Sequence, residues 1–528
     1  MAKERVKPRA HGRGCSREKD HRAVMQKLVD VSAYPIRDVL NVLLEDKTTR
    51  RNVVWGTDAY ASKGSGIDAA SQITLGAFLG ESAVVLQPRI EKDADERQER
   101  TKKRAEVYTP AWLCNKMNNY CDREWFGRKN VFNIENDDRT WTSSDIPIYF
   151  VDRKGRKTKS WQIYVDSKRL EITCGEAPFL VSRYDAATGE LLPLKKRIGI
   201  LDRKLRVVDE NAKTEIEWLK WAQRAVESCY GYEYQGDSLL IARINVLMTF
   251  YDCYVERWKR RPTKSLIKKI ANIAAWNIWQ MDGLNDDIPM SRIEPERPAL
   301  TLFDYAGVDY REEEPSQNYL EAPCYIYQWR SKKRIAFKSL KESGNMKKKM
   351  FDFVIGNPPY QEEFSSDGNK TYAAPVYNLF MDAAYQIANS TELIHPARFL
   401  FNAGSTPKDW NRKMLEDTHF KVLSYEEDAT QVFPNTDIKG GVAITYHDNL
   451  KDFGAIQVFT KFRELNYILR NVLSHKDFSG LDSIVYIQNR FNLSVLLKDH
   501  PECKSGIGSD GRDSRFEKNI FGYYSGLI

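Results

Sequence analysis

Asn357-Pro358-Pro359-Tyr360 is the stretch of this 528-residue chain whose residue types point most directly to chemistry. It follows Phe351-Asp352-Phe353-Val354-Ile355-Gly356, an apolar run that reads as a short buried strand. A strand, a glycine and two prolines describe a rigid loop at a strand's carboxyl end, where open α/β sheets place their ligands. Each proline fixes φ and lacks an N–H, and Pro358 holds Asn357 in an extended conformation. The loop therefore offers a stiff set of acceptors, the Asn357 side-chain oxygen and the prolyl carbonyls, beside the ring of Tyr360. Two acceptors and a ring suit a planar amine. The plainer alternative is a proline turn that ends a strand, and the tetrapeptide alone leaves both open.

Three earlier stretches carry polar groups at predicted strand ends. Leu170-Glu171-Ile172-Thr173-Cys174-Gly175-Glu176-Ala177-Pro178 predicts a strand, a glycine turn and a helix opened by Pro178. Such a turn lets backbone approach a ligand, although the later small residue is Ala177 and no third glycine follows. Tyr230-Gly231-Tyr232-Glu233 lies between two apolar helical segments and puts an acid at a strand's end, the usual way to hold a ribose diol. Ile273 to Gln280 is read as strand, with Asp282 just past its end. Ahead of all three, Thr109 is placed to cap a helix beginning at Pro110.

The elements that would position these residues alternate along the chain. Residues 23–54 have helical spacing broken at Pro35, Ile73 to Leu86 is apolar enough to be packed, and 91–104 is a run of mixed charge. Helices are predicted from Ala212 to Cys229, Ser238 to Tyr251, Val376 to Ala388 and around Asn411 to Leu415. Further strands are predicted at Glu392 to Pro396, Lys421 to Tyr425 and Gly441 to Tyr446. Seven strand candidates alternating with helices predict a doubly wound, largely parallel sheet covered on both faces, with two successive strands ending it as an antiparallel hairpin. Residues 285–350 are polar and read as an insertion, with strand-like sequence at Cys324 to Trp329.

Composition sets outer bounds. A chain this long exceeds one small core, and 42% hydrophobic with 29% charged residues is ordinary for a globular protein. No stretch is read as long and apolar enough to span a bilayer, and the basic amino terminus lacks the apolar run of a secretion signal. The net charge of +8 permits an anionic partner without requiring one. Eight scattered cysteines without a Cys-x-x-Cys pair point to reduced thiols, and His395, His419 and His447 have no metal-ligand spacing, so no metal is expected.

Taken in order, these motifs resemble the adenine-specific DNA methyltransferases of type II restriction-modification systems, in the gamma arrangement that places target recognition after the catalytic domain. The resemblance covers roughly residues 105–450. It implies an S-adenosylmethionine-dependent methyltransferase domain there, of Rossmann-like fold with the insertion at about 285–350. Residues 1–104 become a basic arm and helical region, and 451–528 a candidate target-recognition region, short enough to be truncated or to need a partner.

Val107-Tyr108-Thr109-Pro110 is similar to the motif that contacts the methionine part of the cofactor. The Glu171 stretch, with Thr173, Cys174 and Gly175, is similar to the strand-one cofactor motif, with Ile172 in place of the usual proline and Ala177 in place of the second glycine. Glu233 matches the ribose-binding acid, and Asp282 the acceptor for the amino group of the cofactor's adenine. Asn357, Pro358, Pro359 and Tyr360 match the catalytic motif in full. Leu393-Ile394-His395-Pro396 and the Phe433 to Gly441 loop resemble later motifs around the target-base pocket.

The activity implied is methyl transfer to the exocyclic amine of a flipped-out adenine, by direct displacement without a metal. The partners implied are double-stranded DNA and a restriction endonuclease or specificity subunit, with no membrane and a cytoplasmic location. The same loop also serves methylases of ribosomal RNA guanine and of protein glutamine, and a non-catalytic specificity subunit with a degraded methylase fold is the alternative from outside enzymes.

Overall fold

The computed structural model of the chain describes residues 27–63, 66–79, 84–92, 109–150, 161–290, 322–342, 349–361, 373–434, 436, 438–476, 478–480 and 493–502. Seven strands form one sheet: β1 Arg169–Ile172, β2 Cys229–Glu233, β3 Ile278–Gln280, β4 Phe351–Gly356, β5 Ala388–Pro396, β6 Phe420–Glu426 and β7 Val442–Asp448. Their lateral order is β3-β2-β1-β4-β5-β7-β6. The pairs β3–β2, β2–β1, β1–β4 and β4–β5 are parallel, whereas β7 is antiparallel to both β5 and β6. This is the mostly parallel seven-stranded α/β sheet expected, ended by the expected hairpin.

Helices α1 Ile36–Leu44 and α2 Ala111–Phe126 precede the sheet. Helices α3 Ile200–Asn211 and α4 Glu215–Glu227 lead from β1 to β2, and α5 Gly236–Trp258 and α6 Lys264–Asn277 from β2 to β3. Helix α7 Tyr377–Ile387 joins β4 to β5, and α8 Lys408–Glu416 joins β5 to β6. Every residue of β1, β2, β3 and β7 is buried. Successive strand residues point to opposite faces, so burial of both sets means that both faces of the sheet are covered. The chain winds outward from β1 to β3, returns to β4 and winds outward the other way. The carboxyl ends of β1 and β4 therefore flank a topological switch point, where such sheets open a crevice.

Several local expectations are corrected. Within residues 23–54 the only α-helix among the described residues is α1. Asp46 ends that stretch by accepting the N–H groups of Thr48 and Thr49, a local turn that competes with helix. Residues 264–277 are helix α6, and β3 is only its three-residue continuation, because the Ile/Ala-rich run fits either state until its packing is known. Pro178 opens no helix. The stretch after β1 is a series of turns, and the next α-helix begins at Ile200. Thr109 caps nothing either: Pro110 occupies the cap of α2, with no side-chain capping bond.

Helix α5 corrects the reading of hydropathy. It is long and apolar enough, by length and composition, to cross a bilayer, but two-thirds (67%) of that window is buried within the protein. Its buried Arg243 donates to the carbonyls of Leu43, Ala275 and Ile278, tying α1, α6 and β3 to it.

The described part of the insertion forms a hairpin, Tyr325–Gln328 with Lys333–Ala336, followed by a short helix at Phe337–Glu342. Residues 291–321, with the acidic run Glu312 to Glu314, lie outside the described residues.

The amino-terminal region, which sequence left without a role, is built into the sheet's edge. The Gln280 side chain accepts from the Val54 N–H and donates to its carbonyl, each at 2.9 Å. Gly236 donates its N–H to the Trp55 carbonyl at 2.8 Å. A Cβ at Gly236 would sit 2.0 Å from the Val54 carbonyl oxygen, so only glycine lets α5 begin this close to the crossing chain. Gly236→Ala is therefore expected to destabilise the protein by about 1–3 kcal/mol, measured as a lower urea midpoint with an unchanged slope.

The chain divides into two compact units, residues 1–458 and 459–528. The described part of the second holds the helices Arg463–Leu473 and Leu493–Asp499, with Tyr467 and Ile468 exposed on the first.

Candidate functional site

A cavity of about 390 Å³ opens over the carboxyl ends of β1, β2, β3 and β4. Its wall includes Thr109, Glu171, Thr173, Cys174, Gly175, Glu233, Asp282, Asn357 and Pro359, brought from positions up to 250 residues apart in sequence. Pro110, Pro358 and Tyr360 are the predicted site residues that do not line it.

The turn after β1 is built by one acid. Glu171, 1% exposed, accepts the N–H groups of Leu180 (2.9 Å) and Phe179 (3.3 Å), which folds the chain back over the strand end. Burial pushes its carboxyl well above the usual range. Within the turn, Thr173, Gly175 and Ala177 all take left-handed backbone, with φ of 44°, 53° and 65°. Gly175 is demanded by that φ alone, since a Cβ there would meet nothing within 4 Å. Ala177 holds the conformation that a glycine would take more easily, at roughly 1–2 kcal/mol for the crowded Cβ. Its methyl is fully buried, which offsets part of that cost, so the turn survives the departure from glycine.

Glu233 ends β2 beside this turn. Its Oε2 accepts the Gly175 N–H at 2.7 Å and its Oε1 the Gln235 N–H at 3.1 Å. The two bonds fix the carboxylate at the cavity wall. Asp282, two residues past β3, is held in the same manner. It accepts the N–H of Leu284 (2.9 Å) and the side-chain amide of Asn285 (2.8 Å).

Asn357 begins the loop after β4. Its Nδ2 donates to Thr109 Oγ1 at 3.3 Å, and its main-chain carbonyl accepts from Thr173 Oγ1 at 3.3 Å. Its Oδ1 is buried and has no hydrogen-bond partner among the described residues. A buried amide oxygen left without a donor costs on the order of 1–3 kcal/mol.

Pro358 and Tyr360 are buried behind the loop. Burial pushes the Tyr360 hydroxyl far up, partly offset by the adjacent Asn357 amide. Tyr360 is 9% exposed, and its carbonyl accepts the Val376 N–H at 3.2 Å.

Among the residues of the later motifs, His395 is wholly buried in β5. Its Nε2 lies 2.7 Å from Thr445 Oγ1, and its ring stacks on Tyr377 at 5.7 Å. Burial lowers its pKa to about 4, so it is neutral at neutral pH. In the Phe433 to Gly441 loop, Asn435 and Asp437 lie outside the described residues.

Sequence reasoning missed Arg89, which lines the cavity and donates its main-chain N–H to Glu176 Oε1 at 2.6 Å. It also missed Gln235 and Ser238 on the same wall. No motif surrounds Arg89, and only the fold brings it there. Gln235 and Ser238 follow Glu233 closely enough that the strand-then-helix pattern could have placed them at the cavity mouth.

Residues 227–433 match the family model described as Eco57I restriction-modification methylase. The matched stretch contains Glu233, Asp282 and the Asn357 to Tyr360 loop. Over 113 residues the chain is 27% identical to a protein of Mycoplasma pneumoniae described as an uncharacterized adenine-specific methylase, a stretch that is 21% of this chain and 26% of that relative. The chain thus spans about a quarter of the curated relative it matches.

Two solved structures that align with it are the ATP-dependent Type ISP restriction-modification enzyme LlaBIII bound to DNA and the DrdV–DNA complex. The first has a TM-score of 0.34 and 12% identity, over 69% of this chain and 20% of that one. The second has a TM-score of 0.32 and 12% identity, over 74% and 32%. The resemblance to adenine-specific methylases of restriction-modification systems, read from the motif order, is borne out by the family model and the curated relative.

Proposed function

We propose that this chain is a DNA methyltransferase that moves a methyl group from S-adenosylmethionine to the exocyclic amine of adenine in double-stranded DNA, as the modification component of a restriction-modification system. The observation that carries this reading is the buried Oδ1 of Asn357, without a hydrogen-bond partner among the described residues, on the wall of a cavity that also presents the Glu233 and Asp282 carboxylates. The family model supports the restriction-modification context, and the curated relative's description supports adenine.

The residues present fit the cofactor. Glu233 stands where a ribose diol can donate to its carboxylate, and Asp282 at the neighbouring strand end offers an acceptor to the adenine amino group. Thr109 and the Thr173 to Gly175 turn line the wall nearest Asn357 and take the methionine part. S-adenosylmethionine supplies an electrophilic sulfonium methyl.

Asn357 Oδ1 and the Pro358 carbonyl accept the two N–H groups of the target amine. That draws the nitrogen toward tetrahedral geometry and frees its lone pair for in-line attack. The acceptors are already in place before reaction, so they gain strength as the amine develops positive charge and cost no reorganisation then. A base inside a duplex cannot reach this loop, so the adenine must leave the stack. Tyr360 is the aromatic face we assign to it. With the ring 9% exposed and its carbonyl tied to Val376, stacking requires the Pro375–Val376 segment to move aside.

Lys and Arg contacts to phosphate would anchor the duplex and make binding weaken with salt. A restriction endonuclease or specificity subunit is the protein partner that fits such a component.

Glu233→Ala is expected to weaken S-adenosylmethionine binding by about 10- to 100-fold, from the loss of two charge-assisted hydrogen bonds. Isothermal calorimetry measures it, and an unchanged dissociation constant would remove Glu233 from the ribose role.

A further inference from the structure

We infer that Thr109 is a positioning residue for the catalytic amide: its hydroxyl holds Asn357 Nδ2 so that Oδ1 faces the amine to be methylated. This rests on the function proposed above. It assigns Thr109 a task separate from any contact with cofactor.

Asn357 is held at two points by hydroxyls from two different loops. Thr109, 5% exposed at the start of α2, takes Nδ2 at 3.3 Å. Thr173, just past β1, donates its hydroxyl both to the Ile172 carbonyl (2.8 Å) and to the Asn357 carbonyl (3.3 Å). Thr173 does so from φ 44°, a conformation that β-branched residues rarely adopt and that recurs where function over-determines the backbone. One hydroxyl therefore fixes the main chain of Asn357 and the other fixes the plane of its side chain.

The need for the second contact follows from amide chemistry. An asparagine side chain presents an acceptor and a donor that differ only by a half-turn about its last torsion, and that torsion is soft. Turned over, the amide would set its NH₂ against the NH₂ of the substrate, two donors facing each other. With Nδ2 engaged by Thr109, Oδ1 is the atom left buried and partnerless at the cavity. The Tyr360 hydroxyl is the other polar group beside the amide and interacts with it, but without the geometry of a full hydrogen bond. Thr109 supplies the hydrogen bond that engages Nδ2 among the described residues.

The test compares Thr109→Val, isosteric but without the hydroxyl, and Thr109→Ser, which keeps it. Radiolabelled methyl transfer to DNA is followed at saturating S-adenosylmethionine, and cofactor affinity is followed separately by calorimetry. Losing one such hydrogen bond in the transition state predicts kcat about tenfold lower in Thr109→Val. Thr109→Ser should recover most of that kcat, and the Thr109→Val defect should persist at saturating cofactor whatever its effect on the cofactor dissociation constant. In an Asn357→Asp background, where no amide remains to orient, Thr109→Val should cause no further loss.

Unchanged kcat in Thr109→Val, or a defect that lies entirely in cofactor affinity, would overturn the inference while leaving the proposed function standing. An unaltered protein that binds S-adenosylmethionine and methylates no DNA would overturn both.

Discussion

Asn357→Ala is expected to reduce methyl transfer by at least about 100- to 1,000-fold, the usual cost of removing one preorganised group that acts in the transition state. S-adenosylmethionine binding should remain within about threefold, because the cofactor's assigned contacts are Glu233, Asp282, Thr109 and the turn after β1. The magnitude follows from where the atom sits. Adenine's exocyclic lone pair is delocalised into the ring, and only acceptors that pull on its N–H groups localise it. Asn357 Oδ1 is buried and has no hydrogen-bond partner among the described residues, so in the proposed reaction it is the acceptor offered to that amine. Single-turnover rates with labelled cofactor measure the first quantity and calorimetry the second. Turnover unaltered in Asn357→Ala would remove the loop from the chemistry.

The second large effect concerns stability. Asp122 on α2 is 1% exposed and holds two buried cations: Arg169 of β1 at 3.1 Å and Arg203 of α3 at 2.7 Å. Tyr164 donates its hydroxyl to the same carboxylate at 3.0 Å. Arg203 has other acceptors in the Asn115 side chain and the Ile198 carbonyl. Arg169 does not: its Nε and Nη1 lack partners among the described residues, and its remaining support is the faces of Tyr164 and Phe353.

Asp122→Ala therefore strands a buried guanidinium two residues from Glu171. The expected loss is about 3–5 kcal/mol, far above the fraction of a kcal/mol typical of exposed pairs. Asp122→Asn keeps the shape and removes the charge, so it should fall between the two. Urea unfolding measures both. A loss in Asp122→Ala no larger than that of an exposed pair would mean that Arg169 finds another partner.

Some of this was legible from sequence because local rules suffice. The Phe351 to Gly356 run is apolar apart from Asp352 near its start and is stopped by prolines, so it reads as a buried strand with a loop at its end. Glu233 and Asp282 were found for the same reason, as acids placed where apolar runs stop. The Ile273 to Gln280 segment was not, because a run of Ile and Ala fits a helix or a buried strand equally well. Packing against α1 and α5 made most of it helix. Pro178 reads as a helix start, but the chain turns there, with the Phe179 and Leu180 N–H groups donated to the buried Glu171. Nothing local announces that Asp122 meets Arg203, 81 residues away, or that Val54 pairs with the Gln280 side chain. These are products of the fold, and so is the meeting of Thr109 with Asn357 across 248 residues.

The measurement that bears most directly on the proposed function is the chemical identity of the methylated product. The purified chain is incubated with methyl-labelled S-adenosylmethionine and mixed-sequence duplex DNA, and the DNA is then digested to nucleosides and analysed by mass spectrometry. The expected result is label in N6-methyladenine, abolished in Asn357→Ala. Label that instead enters another base, or a chain that binds the cofactor and labels no adenine, would contradict it.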